Sequence, residues 1–180
     1  LLADNKEIAM ELARDALKQY WPSFKQAYAT IANNKLGLLA SQEGDFKLWT
    51  RLLGAMEGEA DFTILFRALS RFDTQHAENN QALRDMFIQR EAFDRWAEDY
   101  AARLVAQGDE QAARAERMNG VNPKYILRNY MAEQAITSAQ SGDYSELERL
   151  HQLLKNPFSE QPEMSKYAAY PPSWAEQISV

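Results

Sequence analysis

Apolar residues recur along most of this chain at the three- and four-residue intervals of an amphipathic helix. The first such segment spans residues 5–19. The Trp21-Pro22 pair predicts a break, because proline disfavours helical geometry at the preceding residue. A second helix is predicted from Pro22 to Lys35, with Gly37 as its stop. We expect the apolar face of both helices to point inward, with these residues: Ile8, Leu12, Ala16, Tyr20, Phe24, Tyr28, Ile31 and Leu36.

Three further helix starts share a small residue, an aspartate and an aromatic residue. Their aspartates are Asp45, Asp61 and Asp143. An aspartate at this position can accept hydrogen bonds from the unpaired amides of the first turn and complement the helix dipole. Strand signals are scarce, since valine and threonine are rare and hairpin turns are missing. The sequence therefore predicts an all-α fold, as an irregular multi-helix domain.

The character of the sequence changes after Lys155. Four prolines and four aromatic residues follow within a short stretch. Prolines suit an extended path, and aromatic side chains can anchor such a path on a helical surface. We expect residues 1–155 to form a helical domain and residues 156–180 to form an extended tail, rich in proline and aromatic residues, that packs on it.

The segment 121–130 combines helix-start chemistry with a dense set of polar side chains. Asn122 suits an N-cap and Pro123 suits the first helical position, so a helix is predicted to begin at Asn122. On such a helix, polar residues four positions apart share a face. One interpretation is a well-capped helix with a solvated basic face. The other is a surface that docks another part of the protein, with these residues: Lys124, Tyr125, Arg128 and Asn129.

Composition and charge argue against several classes of protein. With 180 residues, 46% of them apolar, the chain can fill the core of one ordinary domain. A net charge of −6 and the lack of a Lys/Arg cluster argue against nucleic acid as a partner. No cysteine is present, which excludes thiol catalysis and disulfides for these residues. The apolar runs are shorter than the roughly 20 residues of a membrane span, so we expect no membrane partner and a cytoplasmic location.

Motifs of enzyme active sites are missing from these residues. There is no Gly-rich phosphate loop, no nucleophile elbow and no kinase catalytic loop. Glu148 and His151 have the spacing of a di-iron bundle motif, but the other histidine, His76, lacks the matching glutamate. We therefore expect His151 to be a partly buried structural residue, and no catalytic, cofactor-binding or metal-binding residue in the chain. A small metalloenzyme is an alternative that bound metal would reveal.

Several segments resemble the selenoprotein O family. The most distinctive are residues 122–130 (Asn-Pro-Lys-Tyr-Ile-Leu-Arg-Asn-Tyr) and 156–163 (Asn-Pro-Phe-Ser-Glu-Gln-Pro-Glu). Residues 61–70 (Asp-Phe-Thr-Ile-Leu-Phe-Arg-Ala-Leu-Ser), 167–174 (Tyr-Ala-Ala-Tyr-Pro-Pro-Ser-Trp) and 35–38 (Lys-Leu-Gly-Leu) also match. Together they span nearly the whole chain in the order that the family shows.

The resemblance implies a longer protein with a protein-kinase-like fold. Such a protein transfers AMP from ATP to Ser, Thr or Tyr hydroxyls of other proteins, with Mg²⁺ or Mn²⁺. In the family, the residues that hold ATP and metal precede everything matched here, so no residue of this chain inherits those roles.

The implied partners are an N-terminal kinase-like domain in cis and the protein substrates. The start at Leu1, without a methionine, also leads us to expect the C-terminal portion of a longer chain, inactive alone. The alternative is a stand-alone helical scaffold that binds partner proteins.

Overall fold

The computed structural model describes residues 5–57 and 60–177. These residues form α-helices and 3-10 helices without any strand, so the predicted all-α fold is confirmed. The first four residues of the predicted helical domain and the last three of the predicted tail lie outside the described residues. The α-helices are α1 (Lys6–Lys35), α2 (Asp45–Ala55), α3 (Phe62–Leu69), α4 (Gln81–Arg84), α5 (Arg90–Gln107), α6 (Gln111–Val121), α7 (Asn129–Gln140) and α8 (Ser145–Lys155).

The predicted break at Trp21-Pro22 is wrong, because α1 is a single helix of 30 residues. Asn5 caps its N-terminus by accepting a hydrogen bond from the Glu7 amide at 2.8 Å. Proline removes one amide donor from the helical ladder. Pro22 nevertheless lies at an exposed position within α1, and the helix continues on both sides of it.

Gly37 ends α1, as predicted. Its φ of 71° lies in the left-handed region. The amides of Gly37 and Leu38 donate to the carbonyl oxygens of Asn34 and Asn33 at 3.1 and 2.9 Å, which is the Schellman arrangement. A Cβ at this position would lie 2.8 Å from the side chain of Arg114 on α6. Both the backbone conformation and the close approach of α6 therefore require glycine.

The prediction that the apolar face of α1 points inward is wrong for most of the helix. Within α1, only Ala32 and Asn33 are buried. Helical periodicity shows that a helix has an apolar face, but it does not show what covers that face. Leu36 is buried and Tyr28 is half-buried, whereas these predicted inward residues are exposed: Ile8, Leu12, Ala16, Tyr20, Phe24 and Ile31.

Two of the three predicted aspartate caps form. Asp61 accepts a hydrogen bond from the Ile64 amide, and Asp143 accepts one from the first amide of α8, both at 2.9 Å. Asp45 does not cap α2. Its buried carboxylate accepts from the Gln42 amide before the helix, at 2.7 Å, and pairs with an arginine of α5. The local pattern could not show that this aspartate has a distant partner.

The larger of two apolar cores lies between the C-terminal end of α1 and helices α2 to α6. Aromatic side chains dominate it, and Trp96 and Tyr100 of α5 are fully buried. The Trp96 indole donates to the Leu48 carbonyl at 2.9 Å, and the Tyr100 hydroxyl donates to the Leu36 carbonyl at 2.7 Å. The polar tips of both aromatic residues are therefore satisfied inside the core.

The smaller core lies between α7, α8 and the 3-10 helix Pro162–Ala168. This 3-10 helix and another at Ser173–Gln177 interrupt the stretch that was predicted to be extended. The division into domains at residue 155 stays a prediction. The buried side chains of the smaller core are Tyr125, Met131, Ala135, Leu150, Leu153 and Tyr167.

Candidate functional site: a polar junction between the two cores

The segment between α6 and α7 is not helical, so the prediction of a helix beginning at Asn122 is wrong. Helix α7 starts only at Asn129. The buried Asn122 side chain donates to the Lys35 carbonyl at 3.0 Å and accepts from the Lys35 ammonium at 3.1 Å. These tertiary contacts use the side chain that the local pattern assigned to a helix cap.

The same segment is held against the stretch that follows α8. The amides of Lys124 and Tyr125 both donate to the Pro157 carbonyl, at 2.8 and 3.1 Å. The Tyr125 side chain is buried, and its hydroxyl donates to the Gln161 carbonyl at 2.9 Å. The two segments with the most distinctive family resemblance therefore lie side by side.

Glu160 receives two cations at this point. Arg67 of α3 donates to its carboxylate at 2.7 Å, and Lys124 donates to its other oxygen. Arg67 also donates to the carbonyl oxygens of Asn119 and Asn122 at 2.9 and 3.0 Å. The hydrogen bonds from Lys124 and Arg67 lower the pKa of Glu160 to about 2. Glu160 thus connects α3 and the end of α6 to the stretch after α8.

Arg128 makes a second connection, from the start of α7 to the start of α3. Its Nη1 donates to Asp61 Oδ2 at 2.7 Å, and both side chains are largely buried. Burial raises the pKa of Asp61. The hydrogen bonds from Arg128 and from the Ile64 and Thr63 amides outweigh this effect, so the pKa lies below its usual value. The Asp61 carboxylate therefore stays charged while it serves both helices.

Three of the four predicted docking residues bind partners within this chain. Lys124, Tyr125 and Arg128 make the contacts described above, whereas Asn129 is exposed at the start of α7. The shared helical faces on which the prediction relied do not form, because residues 123–128 are not helical. Docking to another part of the protein stays a prediction for these residues.

Sequence reasoning missed that residues far apart in the chain meet in one network. The one sequence signal for this network was the family resemblance, since each residue of the network lies in a segment that resembles the family. We call this network the polar junction. It consists of Lys35, Asp61, Arg67, Asn122, Lys124, Tyr125, Arg128, Pro157, Glu160 and Gln161.

The remaining candidate features are metal ligands, His151 and membrane-spanning helices. Within residues 5–57 and 60–177, no group of three or more histidines, aspartates and glutamates is placed to hold a metal ion. His151, which was expected to be partly buried, is exposed and lines an apolar groove between α7 and α8, so that expectation is wrong. In the part of the chain that the structure describes, no helix has the length and hydropathy to cross a membrane.

The sequence of this chain is similar to those of known proteins. The family model described as protein adenylyltransferase SelO matches residues 4–155, and the chain belongs to this family. A relative named protein nucleotidyltransferase YdiU from Thioalkalivibrio sulfidiphilus (strain HL-EbGR7) is 49% identical over 100% of this chain and 36% of its own length. Proteins of the same name from Herminiimonas arsenicoxydans and Burkholderia pseudomallei (strain 1710b) are 45% and 46% identical. The aligned regions cover 93% and 97% of this chain, and 34% of the length of each relative. The chain therefore spans about a third of these relatives.

Proposed function

We propose that this chain is the helical portion of a protein adenylyltransferase that transfers AMP from ATP to Ser, Thr or Tyr hydroxyls of other proteins. Membership of the family and the names of the relatives support this activity for the full-length protein. The chain corresponds to about a third of those relatives. In the proposal, the ATP site and its Mg²⁺ or Mn²⁺ belong to the remaining polypeptide.

A structural role for this chain is supported by the binding partners of the charged side chains in the family-like segments. Arg67 and Lys124 bind Glu160, and Arg128 binds Asp61. A catalytic group has to reach its substrate, whereas these groups are occupied by each other and join the two cores. The polar junction therefore acts as a structural connection. It fixes how α7 and α8 lie relative to the larger core.

The proposed partner in cis is an N-terminal kinase-like domain of the same polypeptide. Lys124, Tyr125 and Arg128 then contribute to docking indirectly, because they hold the segment that presents the exposed Asn129. The protein substrates belong to the full-length enzyme in this proposal, as does a cytoplasmic location.

The test is transfer of label from ATP that is labelled on its α-phosphate, in the presence of Mg²⁺. Full-length protein and the 180-residue chain are assayed side by side with the same protein substrates. Labelling by the full-length protein alone is the expected result. Labelling by the 180-residue chain would mean that an active site lies within it, and labelling by neither would refute the proposed activity.

The alternative function is a stand-alone helical scaffold that binds partner proteins. The exposed apolar residues of α1 favour it, since extended apolar surfaces mark interaction sites. If the chain is a scaffold, no AMP transfer is expected from the 180-residue chain or from the full-length protein. The same assay therefore separates the two functions.

A further inference from the structure

Helix α1 carries a continuous apolar stripe on a face against which none of the described residues packs. We call this the α1 stripe, and its large side chains are each between 46% and 70% exposed. Residues seven apart on a helix lie on one face, and residues three or four apart adjoin them. Apolar patches larger than a few hundred Å² mark interaction sites on soluble proteins. The large members of the α1 stripe are Met10, Leu17, Tyr20, Trp21, Phe24 and Ile31.

The α1 stripe is continuous with the larger core. The rings of Phe24 and Tyr28 stack with centroids 5.9 Å apart, and Tyr28 meets Trp49 edge to face at 6.2 Å. The Trp49 indole also donates to the Tyr28 hydroxyl at 3.0 Å. Trp49 in turn contacts the buried Phe66, with centroids 5.2 Å apart. Apolar side chains thus continue from the core along α1, and no other described residue covers them beyond Tyr28. Obligate interfaces have this character of a domain core cut in half.

The spacing of the α1 stripe fits another helix as its cover. Met10, Leu17, Phe24 and Ile31 recur every seventh residue, which is the a position of a heptad. The neighbouring d positions hold Ala13, Tyr20 and Ala27. The small side chains of Ala13 and Ala27 leave holes into which side chains of a facing helix can insert.

A second copy of α1 is a poor match for the same stripe. In paired helices, the residues that flank the stripe select the partner through opposite charges at the e and g positions. One flank holds Ala9, Ala16, Ser23 and Thr30, which carry no charge. The other flank holds Glu7, Arg14 and Lys35. A parallel pair of copies gains no ion pair at these positions. In an antiparallel pair centred on Trp21, Glu7 faces Lys35, whose ammonium already binds Asn122.

We propose that the α1 stripe is the surface on which the rest of the full-length polypeptide packs, through an apolar helical face. The size of that remainder supports this occupant, since the chain covers only 36% of the length of the relative from Thioalkalivibrio sulfidiphilus. The proposal rests on the proposed function only in that the chain is part of a longer adenylyltransferase. It places the contact in cis on the α1 stripe, whose residues lie outside the family-like segments.

The test is site-specific photocrosslinking in the full-length protein. Phe24 is replaced by the photoreactive p-benzoylphenylalanine, which keeps an aromatic ring at an exposed position. The matched control carries the same replacement at Gln19, which is exposed on the opposite face of α1. After irradiation, crosslinked peptides are identified by mass spectrometry from a mixture of isotopically labelled and unlabelled protein.

A crosslink from position 24 to a peptide outside these 180 residues of the same molecule is the expected result, with little or none from position 19. A crosslink between labelled and unlabelled copies would overturn the proposal in favour of a dimer. Crosslinks confined to these 180 residues, or equal yields at both positions, would also overturn it. AMP transfer is assayed on the full-length protein that carries neither replacement. A missing activity there would refute the proposed function while leaving the crosslinking result valid.

Discussion

The two cores of this protein are built in different ways. The larger core contains most of the buried aromatic side chains and draws on six helices, and Trp96 and Tyr100 lie at its centre. The smaller core buries only six side chains between two α-helices and a 3-10 helix. Its connection to the rest of the molecule is polar: the ion pairs of Glu160 with Arg67 and of Arg128 with Asp61 tie it to α3.

The difference shows where each unit obtains its stability. Burial of apolar surface contributes about 25 cal/mol per Å², so a core of many aromatic residues stabilises its helices without help. A cluster of six buried side chains is smaller than the core on which an independent domain normally relies. The smaller core therefore depends on the polar junction for its position and for part of its stability.

The largest expected effect follows from truncating a residue at the centre of the larger core. Trp96→Ala removes a fully buried indole and should lower the free energy of unfolding by about 3–5 kcal/mol. The measurement is urea denaturation of the 180-residue chain. Trp21→Ala is the matched control: its side chain is 61% exposed, so the same truncation should change stability by less than about 0.5 kcal/mol. Equal losses would contradict the assignment of Trp96 to the core and of Trp21 to the surface.

Breaking the ion pair between the cores comes next. Arg128→Ala leaves the largely buried Asp61 carboxylate without its cation, and the expected loss is about 2–3 kcal/mol. The control is Arg51→Ala, which removes an ion pair to the exposed Asp99 and should cost less than about 1 kcal/mol. Both are measured by denaturation under one set of conditions. A smaller loss at Arg128 than at Arg51 would refute a structural role for this pair.

Removing a single hydroxyl from the polar junction should have a moderate effect. Tyr125→Phe loses the hydrogen bond to the Gln161 carbonyl but keeps the buried ring, so we expect a loss of about 1 kcal/mol. Tyr144→Phe, at an exposed position of the same chain, should be neutral within error. Thermal unfolding of both variants checks this, and an unchanged melting temperature for Tyr125→Phe would contradict it.

The smallest expected effect depends on pH. The pKa of Glu160 is about 2 in the folded chain, against 4.5 for an ordinary glutamate. Its contribution is therefore fully present above about pH 4.5 and is lost as the pH falls through about 2. Because half of its side chain is exposed, solvent screening keeps this contribution below about 1 kcal/mol.

The measurement for this prediction is unfolding of Glu160→Gln and of the unchanged chain between pH 7 and pH 2. The stability difference between them should be constant near neutral pH and should shrink towards pH 2. Glu163→Gln, at an exposed position close by, is the control and should not change the pH profile. A difference that is independent of pH would contradict the assigned ion pairs.

Sequence reasoning reached the fold class and the ends of several elements. Helical periodicity predicted the helices, and Gly37 and Asp61 mark helix ends that the structure confirms. Such signals are local: they depend on backbone conformations and on amides a few residues away. The same reasoning placed a helix start at Asn122, because nothing in the local pattern shows that its amide binds the Lys35 backbone.

Two features required the structure because they depend on distant partners. The polar junction joins side chains such as Arg67 and Glu160, which no spacing rule connects. The exposure of Phe24 and Trp21 could not be predicted either, since an apolar face looks the same in sequence whether its cover is present or not. The family resemblance identified the segments that matter, but it did not show that they bind one another.

The most direct test of the account is hydrogen exchange in a variant whose polar junction is weakened. Arg67→Met removes the bonds to Glu160 and to the carbonyl oxygens of Asn119 and Asn122 while keeping an apolar side chain on α3. We predict that amides of α7 and α8 exchange faster than in the unchanged chain, while those of α5 keep their protection. Equal acceleration in α5, α7 and α8, or no change in any of them, would contradict this account. Its central claim is that the smaller core depends on the polar junction, whereas the larger core is stable without it.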